Sequence, residues 1–256
     1  MSVITTARTT TATLTPTTVP TPNATRTLAV DIGGTGLKAL ILASDGTALT
    51  DRVRVPTPRP ATPEALLTAL WPLIQPLGEF HRVSVGFPGV VVDNVTMTAP
   101  NLDSSWAGFE LGRVISEHVH TPVRVLNDAG VQGYGVIAGH GVEMLLSLGT
   151  GLGCALYYNG EYIPNLELAH HPFRNKKTYE EYVGKKALDK VGKKQWNKRV
   201  RKVIAQVRPI WNPRHLYLGG GNAKHLKGDL PENVTITSNL AGLLGGIALW
   251  HDPKAS

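Results

Sequence analysis

Short apolar segments separated by glycine-rich turns dominate the chain from residue 28 onward. Residues 28–32 are apolar except for one acid, and after the turn at 33–36 a second apolar stretch covers 37–42. This pattern predicts two strands joined by a hairpin turn. The pattern recurs at 144–148 and 154–158, on either side of a second glycine-rich turn. We therefore expect two halves that are built alike.

Other segments predict the helices and strands of an α/β fold. Apolar residues at helical spacing predict helices at 64–77, with a kink or break at Pro72, and at 185–207 and 239–250. Small residues after Asp128 predict another helix that reaches Ala138. Short apolar runs predict further strands at 53–55, 83–87, 123–126 and 215–218.

Domain boundaries follow from the same patterns. Residues 1–27 hold twelve threonines and three prolines with almost nothing to pack, which predicts a disordered tail. We expect one α/β lobe at 28–125 and a second at 126–256. The final helix at 239–250 is a candidate to pack back on the first lobe.

Positive charge is concentrated in one segment. The 256 residues carry a net charge of +7. Residues 174–202 contain twelve basic and three acidic side chains, a balance of +9, whereas the rest of the chain has a balance of −2. This excess indicates a polyanionic partner at one surface, but charge alone does not choose among nucleic acid, membrane and phosphate compounds.

Cysteine content and hydropathy exclude several classes of protein. Cys154 is the only cysteine, so the chain has neither an internal disulfide framework nor a multi-cysteine zinc site. No apolar run reaches the ~20 residues that span a bilayer. We therefore expect a cytoplasmic protein with no membrane partner.

Three glycine-rich turns follow predicted strands, at 31–36, 149–153 and 219–221. Glycines in such a turn let backbone amides approach an anion, and an acid at the strand end can hold a divalent metal directly or through water. Each turn by itself is also typical of an ordinary hairpin or of close helix packing. Two hairpin loops that face each other could clamp a phosphoryl group.

Asn127 and Asp128 end a predicted buried strand. A carboxylate there can accept the proton of an attacking hydroxyl, as phosphoryl transfer requires. The alternative is that these residues cap the following helix, since Asn and Asp are preferred N-cap residues. The residues alone leave both interpretations open.

Seven motifs occur in the order found in the ROK family of sugar kinases and sugar-responsive repressors, and the chain resembles that family over about residues 28–250. These motifs are Asp31-Ile-Gly-Gly-Thr35, Gly86-Phe-Pro-Gly89, Ala99-Pro-Asn-Leu102 with Trp106, Leu126-Asn-Asp128, Gly149-Thr-Gly-Leu-Gly153, Glu167-Leu-Ala-His170 and Gly219-Gly-Gly221. Within the family the chain is most similar to the polyphosphate glucokinases, through residues 31–38, 167–173, 178–184 and 217–224.

The resemblance implies an actin-like, ribonuclease-H-like α/β fold of two lobes with a central cleft. It implies that Asp128 is the general base on the sugar 6-hydroxyl and that Mg²⁺ lies near Asp31, held directly or through water. The residues it implies for sugar binding are Asn101, Asn127, Asp128, Glu167, His170 and Glu180. Those it implies for phosphate binding are Gly33, Gly34, Thr35, Gly36, Lys38, Gly149, Thr150 and Gly151, with Gly219, Gly220 and Gly221 under the rest of the donor.

Two departures from the family pattern change these expectations. Residues 172–179 lack the cysteines of the zinc loop that most members carry, so we expect no structural zinc. Gly36 stands where many members have lysine, and Lys38 follows two residues later. Because alternate residues of a strand share a face, Lys38 is the candidate for a phosphate contact.

We expect the basic segment to guide polyphosphate toward the cleft. In the helix predicted at 185–207, Lys190, Lys194, Lys198 and Arg201 fall on one face, away from the apolar stripe. The alternative is a solvated face that aids solubility, although such a face normally mixes both signs of charge. A linear polyanion would be held there by many weak, salt-sensitive contacts.

The sequence thus favours a phosphotransferase that uses polyphosphate, or also ATP, to form glucose 6-phosphate. An ATP-dependent hexose kinase of the same family is the nearest alternative. A sugar-sensing regulator would need an N-terminal DNA-binding module, for which the tail leaves no room. A nucleic-acid partner is not expected because few aromatic residues accompany the charges. A homodimer is expected by analogy with the family.

Overall fold

The computed structural model describes residues 25–237 and 244–250. The predicted tail at 1–27 therefore lies outside the described residues except at its end, where Thr27 begins the first strand. The predicted C-terminal helix at 239–250 also lies outside them as far as residue 243. Its described remainder ends in a 3-10 turn at Ala248–Trp250.

Strands and helices alternate through the described chain. The strands are β1 (Thr27–Gly33), β2 (Gly36–Leu42), β3 (Val53–Val55), β4 (Arg82–Phe87), β5 (Val91–Val92), β6 (Val95–Thr96), β7 (Val123–Asn127), β8 (Val142–Leu148), β9 (Leu152–Tyr158), β10 (Glu161–Ile163), β11 (His215–Gly219) and β12 (Val234–Ile236). The α-helices are α1 (Pro63–Ile74), α2 (Leu111–Val119), α3 (Asp128–Tyr134), α4 (Tyr179–Val183) and α5 (Lys185–Trp211).

Two five-stranded sheets share one plan. The strand order is β3-β2-β1-β4-β7 in the first sheet and β10-β9-β8-β11-β12 in the second. In each sheet an antiparallel hairpin is extended on one side by two parallel strands. The predicted duplication of an α/β unit is confirmed. The first sheet includes β7 as far as Asn127, two residues beyond the lobe boundary taken from the sequence.

The first sheet has one face toward α1 and α2 and one toward the second lobe. Leu28, Val30 and Ile32 of β1 join the core formed with α1 and α2. Ala29 points to the opposite face, where it packs with Ile247. Since strand residues alternate in direction, Asp31 lies on the same inner face as Ala29.

The inner face of the second sheet packs against α3. Tyr157 and Leu145 of this face form one cluster with Ala129 and Val131 of α3. The outer face is covered by α4 and α5. Helix α3 thus lies between the inner faces of the two sheets, and its first residues lie at the junction of the lobes.

The described end of the chain packs on the inner face of the first sheet. Ser84 of β4 donates a hydrogen bond through Oγ to the carbonyl oxygen of Gly246 at 2.5 Å. Trp250 Nε1 donates to Ser84 Oγ at 2.9 Å. Ile247 joins Leu40 and Ala29 in the adjoining apolar cluster.

Helix α1 tolerates the proline expected to break it. The helix begins after Thr62, whose side chain accepts a hydrogen bond from the amide of Ala65. It continues past Pro72 to Ile74 and then tightens into a 3-10 turn at Gln75–Leu77. The predicted break at Pro72 is therefore absent, because a proline this near a helix end removes only one late hydrogen bond.

Helix α5 is interrupted at Gly192, where φ is 71° and ψ is 162°. The apolar stripe that predicted this helix, Trp196, Val200, Val203 and Val207, is buried and belongs entirely to the segment after Gly192. The prediction of a single uninterrupted helix is therefore wrong. None of the helices in the described parts of the chain is both long and apolar enough to cross a membrane.

Candidate active site

Asp128 stands where β7 ends and α3 begins. Its neighbour Asn127 is the N-cap of α3, and Oδ1 accepts hydrogen bonds from the amides of Ala129 and Gly130 at 3.0 and 3.2 Å. Asn127 Nδ2 donates to the carbonyl oxygen of Gly89 at 3.1 Å. The capping role therefore belongs to Asn127, and a sugar contact by this residue would have to use its second amide hydrogen.

Asp128 carries a carboxyl group whose pKa is raised to about 7. Burial is the largest cause, and the negative charges of Asp31 and Glu167 add to it. The amide of Ala129, which donates to Oδ1 at 2.7 Å, and the ammonium group of Lys38 act in the opposite direction. A carboxylate with a pKa near neutrality suits a general base that works at physiological pH.

The first glycine-rich loop closes the β1–β2 hairpin, in which Gly33 pairs with Gly36. Asp31 and Lys38 lie opposite each other in this hairpin, and Lys38 Nζ donates to Asp31 Oδ2 at 2.6 Å. If Lys38 contacts phosphate, its ammonium group would therefore be bonded to Asp31 at the same time. Asn101 lies beside the loop, since a Cβ added at Gly34 would lie 3.5 Å from the Cβ of Asn101.

Three side chains from the segment 54–59 hold the first loop through its carbonyl oxygens. The hydroxyl of Thr57 donates to Gly33 at 2.5 Å. The guanidinium groups of Arg59 and Arg54 donate to the next two carbonyl oxygens, at 2.6 and 3.3 Å. Sequence reasoning missed all three, because the contacts join residues 19 to 25 positions apart and follow no motif.

The second loop, at 149–151, is held by other chemistry. Glu180 accepts through Oε2 the amide hydrogen of Leu152, at 3.1 Å. Asn222 donates through Nδ2 to the carbonyl oxygen of Gly149 at 2.7 Å. Glu180, predicted as a sugar ligand, thus also supports the second loop. Asn222 was not among the predicted site residues. Its position directly after the third glycine-rich turn is the sequence feature that could have indicated it.

The third loop, at 219–221, packs against the second. Gly220 has φ of 82°, which side chains rarely adopt, and a Cβ there would lie 2.5 Å from the carbonyl oxygen of Leu148. The backbone N–H of Asn222 donates to that same carbonyl oxygen of Leu148 at 2.9 Å. Gly221, by contrast, faces open space, with no described atom within 4 Å of an added Cβ. The two loops form one surface that is open at Gly221.

Glu167 and His170 form a pair on the second lobe, with His170 Nε2 3.4 Å from Glu167 Oε2. Burial raises the pKa of Glu167; His170 opposes this shift and Glu180 reinforces it. Glu167 in turn raises the pKa of Asp128. Glu167 is therefore near enough to the predicted base for their charges to interact, and Glu180 is near enough to Glu167 to act on it.

The structure changes the argument for the four residues predicted as a polyphosphate path. Lys190 precedes the interruption at Gly192, so helical periodicity does not align it with Lys194 and Lys198. Arg201 donates to the carbonyl oxygens of Asp229 and Lys227, the latter at 2.7 Å. Its guanidinium group thus anchors a loop, whereas Lys194 and Lys198 are exposed as predicted.

A different group of lysines surrounds the turn after the third loop. Burial, followed by the charges of nearby lysines, lowers the pKa of His225 in the 3-10 turn Ala223–His225. Those lysines are Lys193, Lys224, Lys185 and Lys227. Asn197 ties α5 to this turn, because its side chain donates to the carbonyl oxygen of His225 at 2.9 Å and accepts the backbone amide hydrogen of Lys227 at 2.7 Å.

The surroundings of Asp31 fit a magnesium ion that substrate phosphates help to hold. Mg²⁺ usually keeps several waters and takes one or two carboxylates together with phosphate oxygens. The Asp31 side chain is 25% exposed, and its charge interacts with Asp128. Within residues 25–237 and 244–250, no three His, Cys, Asp or Glu side chains converge as a metal cage. Binding would therefore depend on the donor.

Comparison with known proteins assigns the chain to a family. The ROK family model matches residues 27–166. A polyphosphate glucokinase of Mycobacterium tuberculosis (strain H37Rv) is 34% identical over 255 residues, 90% of this chain and 94% of that protein. One from Mycobacterium leprae is 32% identical over 237 residues, 86% of this chain and 73% of that protein. The chain belongs to the ROK family.

Solved structures share the fold. An inorganic polyphosphate/ATP-glucomannokinase from Arthrobacter sp. strain KM has a TM-score of 0.80 at 29% identity, covering 89% of this chain and all of that one. A ROK family glucokinase from Streptomyces griseus has a TM-score of 0.74 at 21% identity, covering 88% and 98%. The predicted actin-like fold of α/β lobes is thereby confirmed.

Proposed function

We propose that the protein is a hexose kinase that transfers a phosphoryl group from inorganic polyphosphate to the 6-hydroxyl of glucose. The observation that carries this proposal is the carboxyl group of Asp128, with its pKa raised to about 7, close to the glycine loop of Asp31 and Lys38. Relatives named as polyphosphate glucokinases, about one third identical over most of the chain, support the choice of substrates.

In the proposed reaction Asp128 accepts the proton of the glucose 6-hydroxyl as that oxygen attacks the terminal phosphorus. The new bond joins O6 to phosphorus, and the bond from phosphorus to the bridging oxygen of the donor breaks. The electron pair leaves with that oxygen, so the products are glucose 6-phosphate and a chain one phosphate shorter. The loops at 33–36 and 149–151 would hold the phosphoryl group through backbone amides.

Sugar recognition in this proposal rests on Glu167, His170, Glu180 and Asn101. Carboxylates and amides that each bond a hydroxyl reject an analogue lacking it, since the buried partner is then left unpaired. Asp31 would hold Mg²⁺ together with the donor, and the ion would neutralise charge on the phosphate oxygens.

The lysines around His225 support polyphosphate as the donor. Four ammonium groups lie near the turn that follows the third loop, where the part of the donor beyond the transferred group would lie. Among them, Lys185 also forms an ion pair with Asp189. A repeating phosphate chain offers a charge for each lysine, whereas a nucleotide base offers none. An ATP-dependent hexose kinase is the second candidate, and the ATP in the name of the Arthrobacter relative favours it.

The test is an assay of the purified full chain with glucose, Mg²⁺ and either polyphosphate or ATP. Glucose 6-phosphate should form with polyphosphate at a higher kcat/KM than with ATP. If glucose 6-phosphate formed with ATP and not with polyphosphate, the donor assignment would be rejected and the protein would still be a hexose kinase. No product with either donor, at any salt concentration or chain length, would contradict both.

The lysine surface has its own test. Lys193→Ala/Lys224→Ala should raise the KM for long polyphosphate roughly 10-fold and flatten its dependence on salt, since fewer counterions are released on binding. The KM for glucose should not change. Lys186→Ala/Lys202→Ala, which removes two other exposed lysines of α5, is the matched control. Equal effects of the two variants would mean that α5 contributes only its general charge.

A further inference from the structure

The segment that carries Arg54, Thr57 and Arg59 bonds one side of the first glycine-rich loop. Consecutive carbonyl oxygens at 33 and 34 accept from Thr57 and Arg59, at 2.5 and 2.6 Å. Because a trans peptide directs its C=O and N–H oppositely, the amides of residues 34 and 35 point away from these donors. The two side chains thus fix the direction in which the loop presents its amide hydrogens.

Arg54 occupies a place that a side chain at position 36 would otherwise fill. A Cβ added at Gly36 would lie 2.8 Å from Arg54 Nε and 2.9 Å from Nη2. Gly36 does not have a positive φ, so its backbone conformation does not require glycine. The glycine instead makes room for the guanidinium group directly at the loop.

Arg54 also faces the same side of the sheet as the predicted catalytic groups. It pairs with Lys38 across β2 and β3, and Lys38 pairs with Asp31 across β1 and β2. Residues directly opposite each other in antiparallel strands share a face. Arg54 therefore lies on the inner face with Asp31.

This arrangement places two positive charges opposite each other, which destabilises a sheet. Asp31 balances Lys38 at 2.6 Å. No ion pair with Arg54 occurs in the parts of the chain that the structure describes. Its guanidinium group bonds a backbone carbonyl at 3.3 Å and keeps further N–H groups for a ligand. An anion bound at the loop would relieve the repulsion.

We propose that Arg54 binds an oxygen of the donor phosphate held at the first loop, and that Thr57 and Arg59 are positioning residues for that loop. The inference rests on the proposed phosphoryl transfer. The ligand class is a polyphosphate anion, and a guanidinium group is well matched to phosphate oxygens. Arg54 therefore adds a second cation on the first lobe, beside Lys38.

Kinetics of Arg54→Ala test the direct contact. The kcat/KM for the phosphate donor should fall at least 20-fold, while the KM for glucose stays within twofold. Arg54→Lys should recover part of the loss. Arg52→Ala, an exposed arginine two residues earlier, is the matched control and should behave as the wild type. Equal donor kinetics for Arg54→Ala and Arg52→Ala would overturn the proposal.

A charge relocation separates binding from folding. Gly36→Lys in the Arg54→Ala background should restore donor kcat/KM to within about fivefold of the wild type, since the removed guanidinium group leaves space at residue 36. Thr57→Val and Arg59→Ala should lower kcat with little change in either KM, and Arg59→Lys should restore kcat in part. An unchanged kcat in both variants would remove the positioning role.

A binding measurement distinguishes this inference from the proposed function. Isothermal titration with inorganic tripolyphosphate, without glucose, should give at least 10-fold weaker binding to Arg54→Ala than to the wild type. Wild-type binding that Arg54→Ala leaves intact would overturn the role of Arg54 and spare the kinase assignment. Absence of both binding and turnover in the wild type would contradict the kinase assignment and this inference together.

Discussion

The two glycine-rich hairpins occupy equivalent places in sheets of the same strand order, yet their surroundings carry different charges. The first hairpin has the Asp31–Lys38 pair on its inner face and two arginines on its carbonyl oxygens. In the second hairpin the inner-face pair next to the loop is the neutral Ser147 and Gly153, and the carboxylate of Glu180 holds the loop. A duplicated backbone has thus been given two electrostatic roles.

The acids on the first strand of each sheet show the same divergence. Asp31 lies near the loop end of β1, partly exposed to the cleft. Glu143 lies at the start of β8, is 1% exposed, and accepts the amide hydrogens of residues 138, 139 and 140 together with the hydroxyl of Tyr217. The acid near the loop is available for chemistry, and the acid at the far end holds the fold.

The largest effect is expected from Asp128→Asn. Loss of the general base should lower kcat roughly 10²- to 10⁴-fold, because the amide cannot accept the hydroxyl proton. Glucose binding and Tm should be retained, as shown by isothermal titration and thermal unfolding. A variant that keeps more than about a tenth of the wild-type kcat would leave Asp128 without a catalytic role.

Glu143→Gln tests the structural acid of the second sheet. At pH 7 the free energy of unfolding should fall by about 2–3 kcal/mol, since one oxygen that accepts backbone amides becomes a donor. Burial raises the pKa of Glu143, but the amides and the Tyr217 hydroxyl outweigh it, so the pKa is lowered. The stabilisation is therefore present above the unfolded pKa and is lost as pH falls through the folded one.

Urea unfolding at pH 7 and at pH 3 measures this difference. The gap between Glu143→Gln and the wild type should narrow at the lower pH. Glu117→Ala, which removes an exposed ion pair with Arg113, is the control and should cost at most ~0.5 kcal/mol. Equal losses in the two variants would mean that Glu143 does not have a special structural role.

Gly220→Ala and Gly221→Ala form a matched pair in the third loop. The first should cost about 1–3 kcal/mol, because alanine is strained at φ of 82° and its Cβ meets the backbone of Leu148. The second should change stability by less than ~0.5 kcal/mol and act mainly on the KM of the donor. Chemical denaturation and donor kinetics of both variants decide whether Gly221 lines the donor site.

The smallest change in donor kinetics is expected from Asn197→Ala. Loss of two hydrogen bonds to residues 225 and 227 should cost about 1 kcal/mol. Because Asn197 links α5 to the lysines around His225, the KM for polyphosphate should rise two- to threefold. Asn212→Ala, at the other end of α5, is a control for general weakening of the helix. An unchanged KM for polyphosphate would mean that this contact of α5 does not contribute to donor binding.

Much of the fold could be predicted because it depends on local patterns. Strand–turn–strand alternation around the turns at 33–36 and 149–151 was sufficient for both hairpins. The interruption at Gly192 could not be predicted, since the buried stripe at 196–207 carries the helical period and says nothing of the residues before it. Whether α5 continues through Gly192 or is interrupted there depends on tertiary packing, because a helix can tolerate an internal glycine.

The motifs of the candidate site could be predicted from the sequence, but the residues that hold its loops and cap its helix could not. The sequence did not decide whether Asn127 or Asp128 caps α3, because both residue types cap helices equally well. The contacts of Arg54 and Arg59 with the first loop join distant residues with no periodic pattern. Arg201, grouped by helical angle with the lysines, instead bonds the carbonyl oxygen of residue 227.

The pH dependence of kcat/KM for glucose tests the central claim, that Asp128 is the base of a sugar kinase. A base must be deprotonated to act, and burial together with Asp31 and Glu167 raises the pKa of Asp128 to about 7. The wild-type kcat/KM for glucose, which reports ionisations of the free enzyme, should therefore rise with pH to a plateau with its midpoint near 7. The residual kcat/KM of Asp128→Asn should show no such rise. An unaltered rise in the variant, or a wild-type midpoint near 4, would contradict the account.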